Sequence, residues 1–423
     1  MSLFKKVVLF SAVSLITLSS YAVGPVNYDE SKVQPYTLPD ALKMNDGTEV
    51  KTVKEWQKRR EQIIQLFKEN VYGNVPSNNL KLTYKVIQEN DHALGDKAIE
   101  KQVVVYIGKT KVNLLMYFPK QNKKSYPIFL GYNFCGNQSI TPDPNILINK
   151  NWANPVTCAK PTDPKGTIVD DHFTEKARGF NSRRFDLNSI IDNGYGLVTA
   201  YYGDIAPDNA EKLYTNVSKS IKDYKKYSAI SLWAWGLINI SDALKQEPLV
   251  NQKEIIVFGH SRLGKTALWA AALDQKFAMV ISNDSGTGGA SLSRRNYGET
   301  LYSINTEFPY WFTSKFKEYN KDTNALPVDQ HMLLDLIAPR PLYVASAEDD
   351  QWADPKGAFL ATKATAPVYK LYGENVNLPK SQPKVNNPVI GIVSYHIRTG
   401  GHDLTNYDWQ QYIKAANLNL KNN

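Results

Sequence analysis

The sequence predicts an α/β fold, a mostly parallel sheet with helices on both faces, and three observations carry that expectation. From about residue 190 onward, short apolar and β-branched runs alternate with helical stretches. Strands that alternate with helices are joined by crossovers that cover both faces of a parallel sheet. One run, Ile255-Ile256-Val257-Phe258, passes through Gly259-His260-Ser261 into the alanine-rich helical stretch Thr266 to Leu273. A strand, a sharp Gly-x-Ser turn and a helix form the context of a nucleophile elbow, which holds a serine hydroxyl above the sheet. Finally, serine, acid and histidine follow one another along the chain in the order of an α/β-hydrolase.

The elements follow from the N-terminus. Lys5 and Lys6 precede an apolar run from Val7 to Leu18, and Ser20-Tyr21-Ala22 is a small-x-Ala cleavage site. Residues 1–22 therefore read as a signal peptide. The alternative is a membrane anchor, but roughly 12 apolar residues fall short of the roughly 20 that span a bilayer. The expected mature chain is an exported protein, periplasmic or secreted, with no membrane association once the signal is removed. Residues 23–50 read as an extended lead-in. Glu55 to Val71 is helical, because Trp56, Ile63, Ile64 and Phe67 recur at helix spacing. Leu80 to Gln88, Ile99 to Ile107 and Val112 to Phe118 read as strands. Pro127 to Tyr132 reads as the first parallel strand. Residues 136–185, rich in Asn, Pro and Asp, read as a substrate-facing insertion, since loops of that length in a compact domain are usually functional. Further strands are expected at Leu197 to Tyr202, Met279 to Ser282, Leu342 to Ala347 and Val393 to Ile397, with a helix at Ser228 to Ala243. No repeat divides the chain, so residues 23–423 read as one catalytic domain.

Composition excludes several classes. The formal net charge of +9 becomes 9 − 2 = +7 without Lys5 and Lys6. That charge is scattered through mixed-sign segments with no aromatic-interleaved basic block, which argues against nucleic acid as a partner. A basic surface still attracts polyanions such as acidic polysaccharide. No Cys or His cluster has metal-ligand spacing, so neither metal nor other cofactor is expected. The two cysteines, Cys135 and Cys158, can pair in an exported chain; the alternative is two buried thiols.

Ser261 is the candidate nucleophile. A serine hydroxyl is weak until a base takes its proton. His402, after the last strand and Gly400-Gly401, is the candidate base. His260 adjoins the serine and is expected to point away from it; His92, His172, His331 and His396 lack the strand-then-loop position. The acid has two candidates. Asp350 follows the strand Leu342 to Ala347, and Asp284 follows the strand after the elbow. Either could hold the imidazole by its other nitrogen. Arg262 and Lys265 lie on the first helical turn after the serine, where a cation could stabilise developing negative charge.

These residues form motifs. Gly259-His260-Ser261-Arg262-Leu263-Gly264-Lys265 and Asp284-Ser285-Gly286-Thr287-Gly288-Gly289 resemble signatures of the glucuronoyl esterases, a family of carbohydrate esterases. Asn296-Tyr297-Gly298-Glu299-Thr300, Leu326-Pro327-Val328-Asp329-Gln330-His331 and Asp350-Gln351-Trp352-Ala353-Asp354-Pro355 add to the resemblance, which runs from about Pro127 to His402 and is similar to the bacterial branch. It implies hydrolysis of the ester between a (4-O-methyl)glucuronic acid branch of glucuronoxylan and a lignin alcohol. It also implies Ser261 as nucleophile, His402 as base, Arg262 beside the oxyanion, and Lys265, Glu299 and Trp352 around the uronate sugar. The family places its acid at either of two positions; here both are filled, and Asp284 stands where glutamate is common. The chain is expected to act as a monomer on lignin–carbohydrate esters. Two other readings stay open: an acetyl xylan esterase or other serine hydrolase, and a carbohydrate-binding protein without catalysis.

Overall fold

The structure is a computed structural model that describes residues 26–77, 79–159 and 166–420. The signal segment 1–22 lies outside the described residues. Nine strands form one sheet: β1 (Leu82–His92), β2 (Ala98–Ile107), β3 (Thr110–Pro119), β4 (Tyr126–Asn133), β7 (Gly196–Tyr201), β8 (Val250–His260), β9 (Met279–Asn283), β10 (Leu342–Ala347) and β11 (Val393–Arg398). Their order is β1-β2-β3-β7-β4-β8-β9-β10-β11. The first three strands and the β3/β7 junction are antiparallel; from β7 to β11 every pair is parallel. A separate two-stranded ribbon, β5 (Ile168–Val169) and β6 (His172–Phe173), lies in the 136–185 segment.

Alternation along each parallel strand sends side chains to two cores, as strand geometry requires. Ile128, Leu130, Val257 and Val344 join one cluster with Trp233, Leu268 and Trp269. Phe129, Ile256, Phe258 and Tyr343 join the other with Trp409 and Tyr412. Helices Val53–Phe67, Ala229–Ala243, Arg262–Leu273 and Pro355–Ala364 therefore cover the first face, and Leu187–Asp192 and Asn406–Leu420 the second. Both faces are buried, which is why these strands read as continuous apolar runs. The result is the expected three layers, with a mostly parallel centre.

Local signals set the helix starts. Helix Val53–Phe67 begins at Thr52, whose side chain accepts from the backbone of Glu55 while Glu55 reaches back to the Thr52 N–H. This reciprocal capping satisfies two orphan donors. The helix stops earlier than the spacing predicts, because Lys68–Tyr72 widens into a π turn before Gly73. Ser228 caps Ala229–Ala243, which is buried on nearly all sides. The chain from β4 into the 136–185 segment is tied by a Cys135–Cys158 disulfide.

Candidate active site

The C-terminal ends of β8, β9, β10 and β11 bring the predicted residues together. At the end of β8 the chain reverses into helix Arg262–Leu273 through Ser261, whose φ of 57° and ψ of −130° lie where side chains rarely go. Such a conformation costs about 1–3 kcal/mol and persists only where the surroundings impose it. Here the Ser261 N–H donates to Asn283 O at 2.9 Å, and Ser261 O accepts from Gly264 and Lys265 N–H groups at 2.9 and 3.2 Å. Gly259 allows the tight turn: a Cβ there would stand 2.0 Å from Leu263 O. Ser261 is half-buried at the turn's apex.

His402, on the loop after β11, meets Asp350, on the loop after β10. Their Nδ1 and Oδ2 atoms are 2.6 Å apart. The imidazole is 44% exposed and the carboxylate 5%, so the acid is sheltered and the base faces the opening. Asp284, after β9, completes a trio with Asp350 and His402 whose polar atoms lie within 4.8 Å of one another. Its own partner is different. Asp284 Oδ2 accepts from Arg398 at 3.3 Å, and Oδ1 has no hydrogen-bond partner among the described residues. Burial, then the neighbouring Asp350, pushes the Asp284 carboxyl well above the usual carboxylate range, against the pull of Arg398. Among the described residues this trio is also the only group that could jointly hold a metal ion. A cation there would compete with the Arg398 guanidinium for Asp284.

Arg398 organises the loop that carries His402. Its guanidinium donates to the carbonyls of Thr399, Gly401 and Asp403 at 3.0, 3.2 and 2.5 Å. Asp408 anchors it through Nε, at 2.9 Å to Oδ2, and also holds His396 at 2.9 Å. Sequence reasoning missed this layer, because Arg398 and Asp408 lie outside any motif.

His260, expected to point away from Ser261, packs against the candidate base: its ring centroid lies 4.5 Å from that of His402, and its Nδ1 is 2.5 Å from Asn283 Oδ1. Burial, followed by the nearby His402 and Arg184, holds its pKa well below the ordinary histidine value. A neutral imidazole is thus packed behind the candidate base.

On the other side of Ser261, the Arg262 guanidinium pairs with Asp208 and lies 4.7 Å from the ring centroid of Trp311. Asp208 also accepts from Trp311 Nε1 at 2.7 Å, Tyr310 at 2.9 Å and Tyr202 at 3.1 Å. Four donors on one buried carboxylate fix both the acid and the arginine it holds. Burial alone would lower the Arg262 pKa, but Asp208, joined by Tyr202 and Tyr310, more than offsets it and raises the pKa. Neither Asp208 nor Trp311 was visible as a site residue, since each lies some 50 residues from the elbow with no motif around it.

Lys265 donates to Ser285 O at 2.6 Å and stands 3.7 Å from Glu299 Oε2. Burial lowers the lysine pKa and raises the glutamate pKa, with each partner opposing the other's shift. Trp352 holds Glu299 at both ends: its carbonyl accepts from the Glu299 N–H at 2.8 Å, and its side chain hydrogen-bonds the Glu299 carboxylate. Gly298 takes φ of 61° beside it; a Cβ would meet the Gln351 and Trp352 carbonyls at 2.5 Å.

The fold and the elbow define an α/β-hydrolase, and comparison with known proteins gives the particular kind. Residues 188–373 match a family model described as glucuronyl esterase of fungi. A carbohydrate esterase from an unknown prokaryotic organism is 41% identical, covering 93% of this chain and 92% of its own. Among solved structures, a promiscuous CE15 esterase from a marine bacterial metagenome superposes with a TM-score of 0.85 at 41% identity, over 94% of this chain and 100% of that one. A glucuronoyl esterase from Solibacter usitatus gives 0.84 at 38% identity, over 92% and 100%. The chain belongs to the CE15 glucuronoyl esterase family of carbohydrate esterases and is a carboxylic ester hydrolase.

Proposed function

We propose that the chain cleaves esters of (4-O-methyl)glucuronic acid, releasing lignin alcohols from the uronate branches of glucuronoxylan. The observation that carries this reading is the buried Lys265–Glu299 pair one helical turn beyond Ser261. A simple acyl group offers such a pair nothing to bind, whereas a sugar ring presents hydroxyls to both. Relatives named 4-O-methyl-glucuronoyl methylesterase support it, one at 34% identity over 43% of this chain and one from Schizophyllum commune at 26% over 79%.

In this reading His402 takes the Ser261 proton as the hydroxyl oxygen attacks the ester carbonyl. Asp350 stabilises the imidazolium that forms. The tetrahedral oxyanion develops beside Arg262, held charged and in place by Asp208. His402 then protonates the leaving alcohol oxygen, leaving a uronoyl ester on Ser261. Water, deprotonated by His402, attacks the acyl carbon; the bond to Ser261 Oγ breaks, and His402 gives the proton it took to that oxygen. The product is a free uronate carboxylate. The basic, apolar and small-residue leader supports export to where plant polysaccharide is met.

The metagenomic relative's promiscuity favours a second reading, a broad esterase that also takes acetyl esters. Comparing benzyl glucuronate with an aryl acetate separates the two. Lys265→Met should lose roughly 10–100-fold in kcat/KM on the glucuronate, the scale of a hydrogen bond to a charged group, and little on the acetate. Equal losses on both would remove the lysine from sugar recognition and favour the broad esterase.

A further inference from the structure

A cavity of about 380 Å³ opens between the β2–β3 hairpin, the stretch 147–151 of the long insertion and the loop after β7. It lies across the 134–139 loop from the esterase site: Phe134 faces the Arg262 guanidinium at 5.7 Å, and Asn137 lines the cavity. Three separate stretches of chain bring Lys109, Lys111, Lys150 and Lys219 to its wall, and among the described residues no aspartate or glutamate lines it. None of the four makes an ion pair among the described residues. Clustered cations repel, so such a wall is stable only at the expense of solvation or with an anion to share.

The cavity is also built. Buried Asp204 accepts from the side-chain amides of Asn113, Asn149 and Asn151 at 3.0, 2.7 and 2.7 Å, and from the Asn113 N–H at 2.8 Å. With the NH₂ groups spent on Asp204, Oδ1 of Asn113 and of Asn151 has no partner among the described residues, and both residues line the cavity. Fixed carbonyl oxygens accept from hydroxyl groups, while ammonium groups bind carboxylate. On the hairpin side, Ser220 Oγ accepts from the N–H groups of Lys109 and Thr110, both at 2.8 Å, and so fixes the turn that carries Lys109. A second cavity, about 340 Å³, shares Lys150, Asn151, Asn216 and Lys219 and adds Trp152 together with Asp170, Asp171 and His172; Lys212, paired with Asp171, has its Nζ 5.6 Å from the Trp152 ring, so the free uronate belongs to the first cavity and only a neutral sugar to this one. An aromatic face there suits the C–H face of a sugar ring.

We propose that this groove is a second glycan-binding site, taking a free uronate unit of an acidic oligosaccharide at the four lysines and a neighbouring neutral sugar at Trp152. It goes beyond the reaction at Ser261 and is read by binding, so its failure would leave the esterase assignment untouched.

The test uses the full chain carrying Ser261→Ala, titrated calorimetrically with a xylooligosaccharide bearing one free glucuronic acid branch. Adding Lys150→Ala and Lys219→Ala should weaken one binding event at least tenfold with an unchanged melting midpoint, whereas adding Lys265→Met should leave that event in place. The unbranched oligosaccharide of equal length should bind at least tenfold more weakly. Should the double substitution lower the midpoint, Lys150→Gln alone, at an exposed position, gives the same comparison. Equal binding of the neutral chain, no effect of the lysine changes, or displacement by equimolar sulfate, marking a simple anion site, would each overturn the proposal.

Discussion

The loops after β9 and β10 each bring an aspartate within reach of the same imidazole, yet the two carboxylates are in different situations. Asp350 Oδ2 sits 2.6 Å from His402 Nδ1. Asp284 spends Oδ2 on Arg398 and leaves Oδ1 unpaired and buried. Burial and the neighbouring Asp350 push Asp284 toward its neutral form. Two carboxylates whose oxygens lie within 4.8 Å of each other and of one imidazole nitrogen disfavour each other's ionised form in a buried site. The difference shows that residue type does not decide which acid orients the base; the partner each carboxylate already holds decides it. Arg398 is that partner, and it also props the His402 loop.

The largest effect should come from Asp350→Asn. Replacing the orienting aspartate of a serine-histidine pair costs up to about 10⁴ in kcat; with Asp284 still present we expect roughly 10³, with little change in KM, by steady-state kinetics on benzyl glucuronate. A loss below tenfold would break the comparison. Next in size is the context dependence of Asp284. Removing the Asp350 charge removes one cause of the raised Asp284 pKa, so Asp284 ionises more readily and takes over part of the role. Asp284→Asn should then cost roughly tenfold more in the Asp350→Asn background than alone, a non-additivity expected of coupled residues. The sign extends to pH: the residual activity of Asp350→Asn should climb with pH as Asp284 loses its proton, and the climb should be smaller in the double variant, which lacks that carboxyl. The smallest effect is Asp284→Asn in the otherwise native chain. Asparagine mimics the neutral acid, so a two- to threefold loss is expected, on the order of 0.5 kcal/mol; a loss above a hundredfold would reverse the assignment.

Much of this arrangement was legible in the sequence. The strands from β7 to β11 are buried on both faces, so they appear as apolar runs; Ser261, Asp350 and His402 each follow one of them. The motifs singled out both Lys265 and Glu299, which the fold brings to 3.7 Å of each other. Asp208 and Trp311 were not legible, because their partnership with Arg262 is made by loops that carry no periodicity. Arg398 fell one residue past the expected strand Val393 to Ile397, and Asp408 lay in a helix not read from the sequence, Asn406–Leu420; their pairing depends on the sheet edge that brings them together. The place of His260 against His402 was not legible, because it depends on the β11 loop that carries His402 over the end of β8, where His260 pairs with Asn283. The pairing of Cys135 with Cys158 could not be chosen over free thiols from spacing alone, since 23 residues of irregular chain permit either.

The central claim is that Asp350, and not Asp284, accepts the hydrogen bond from His402 Nδ1. Proton NMR at a pH that protonates His402 tests it directly, because a sheltered imidazolium N–H bonded to a carboxylate gives a resolved low-field resonance. Comparing the native chain, Asp284→Asn and Asp350→Asn, the resonance should persist in the first two and disappear in the third. Its loss in Asp284→Asn with survival in Asp350→Asn would contradict the account.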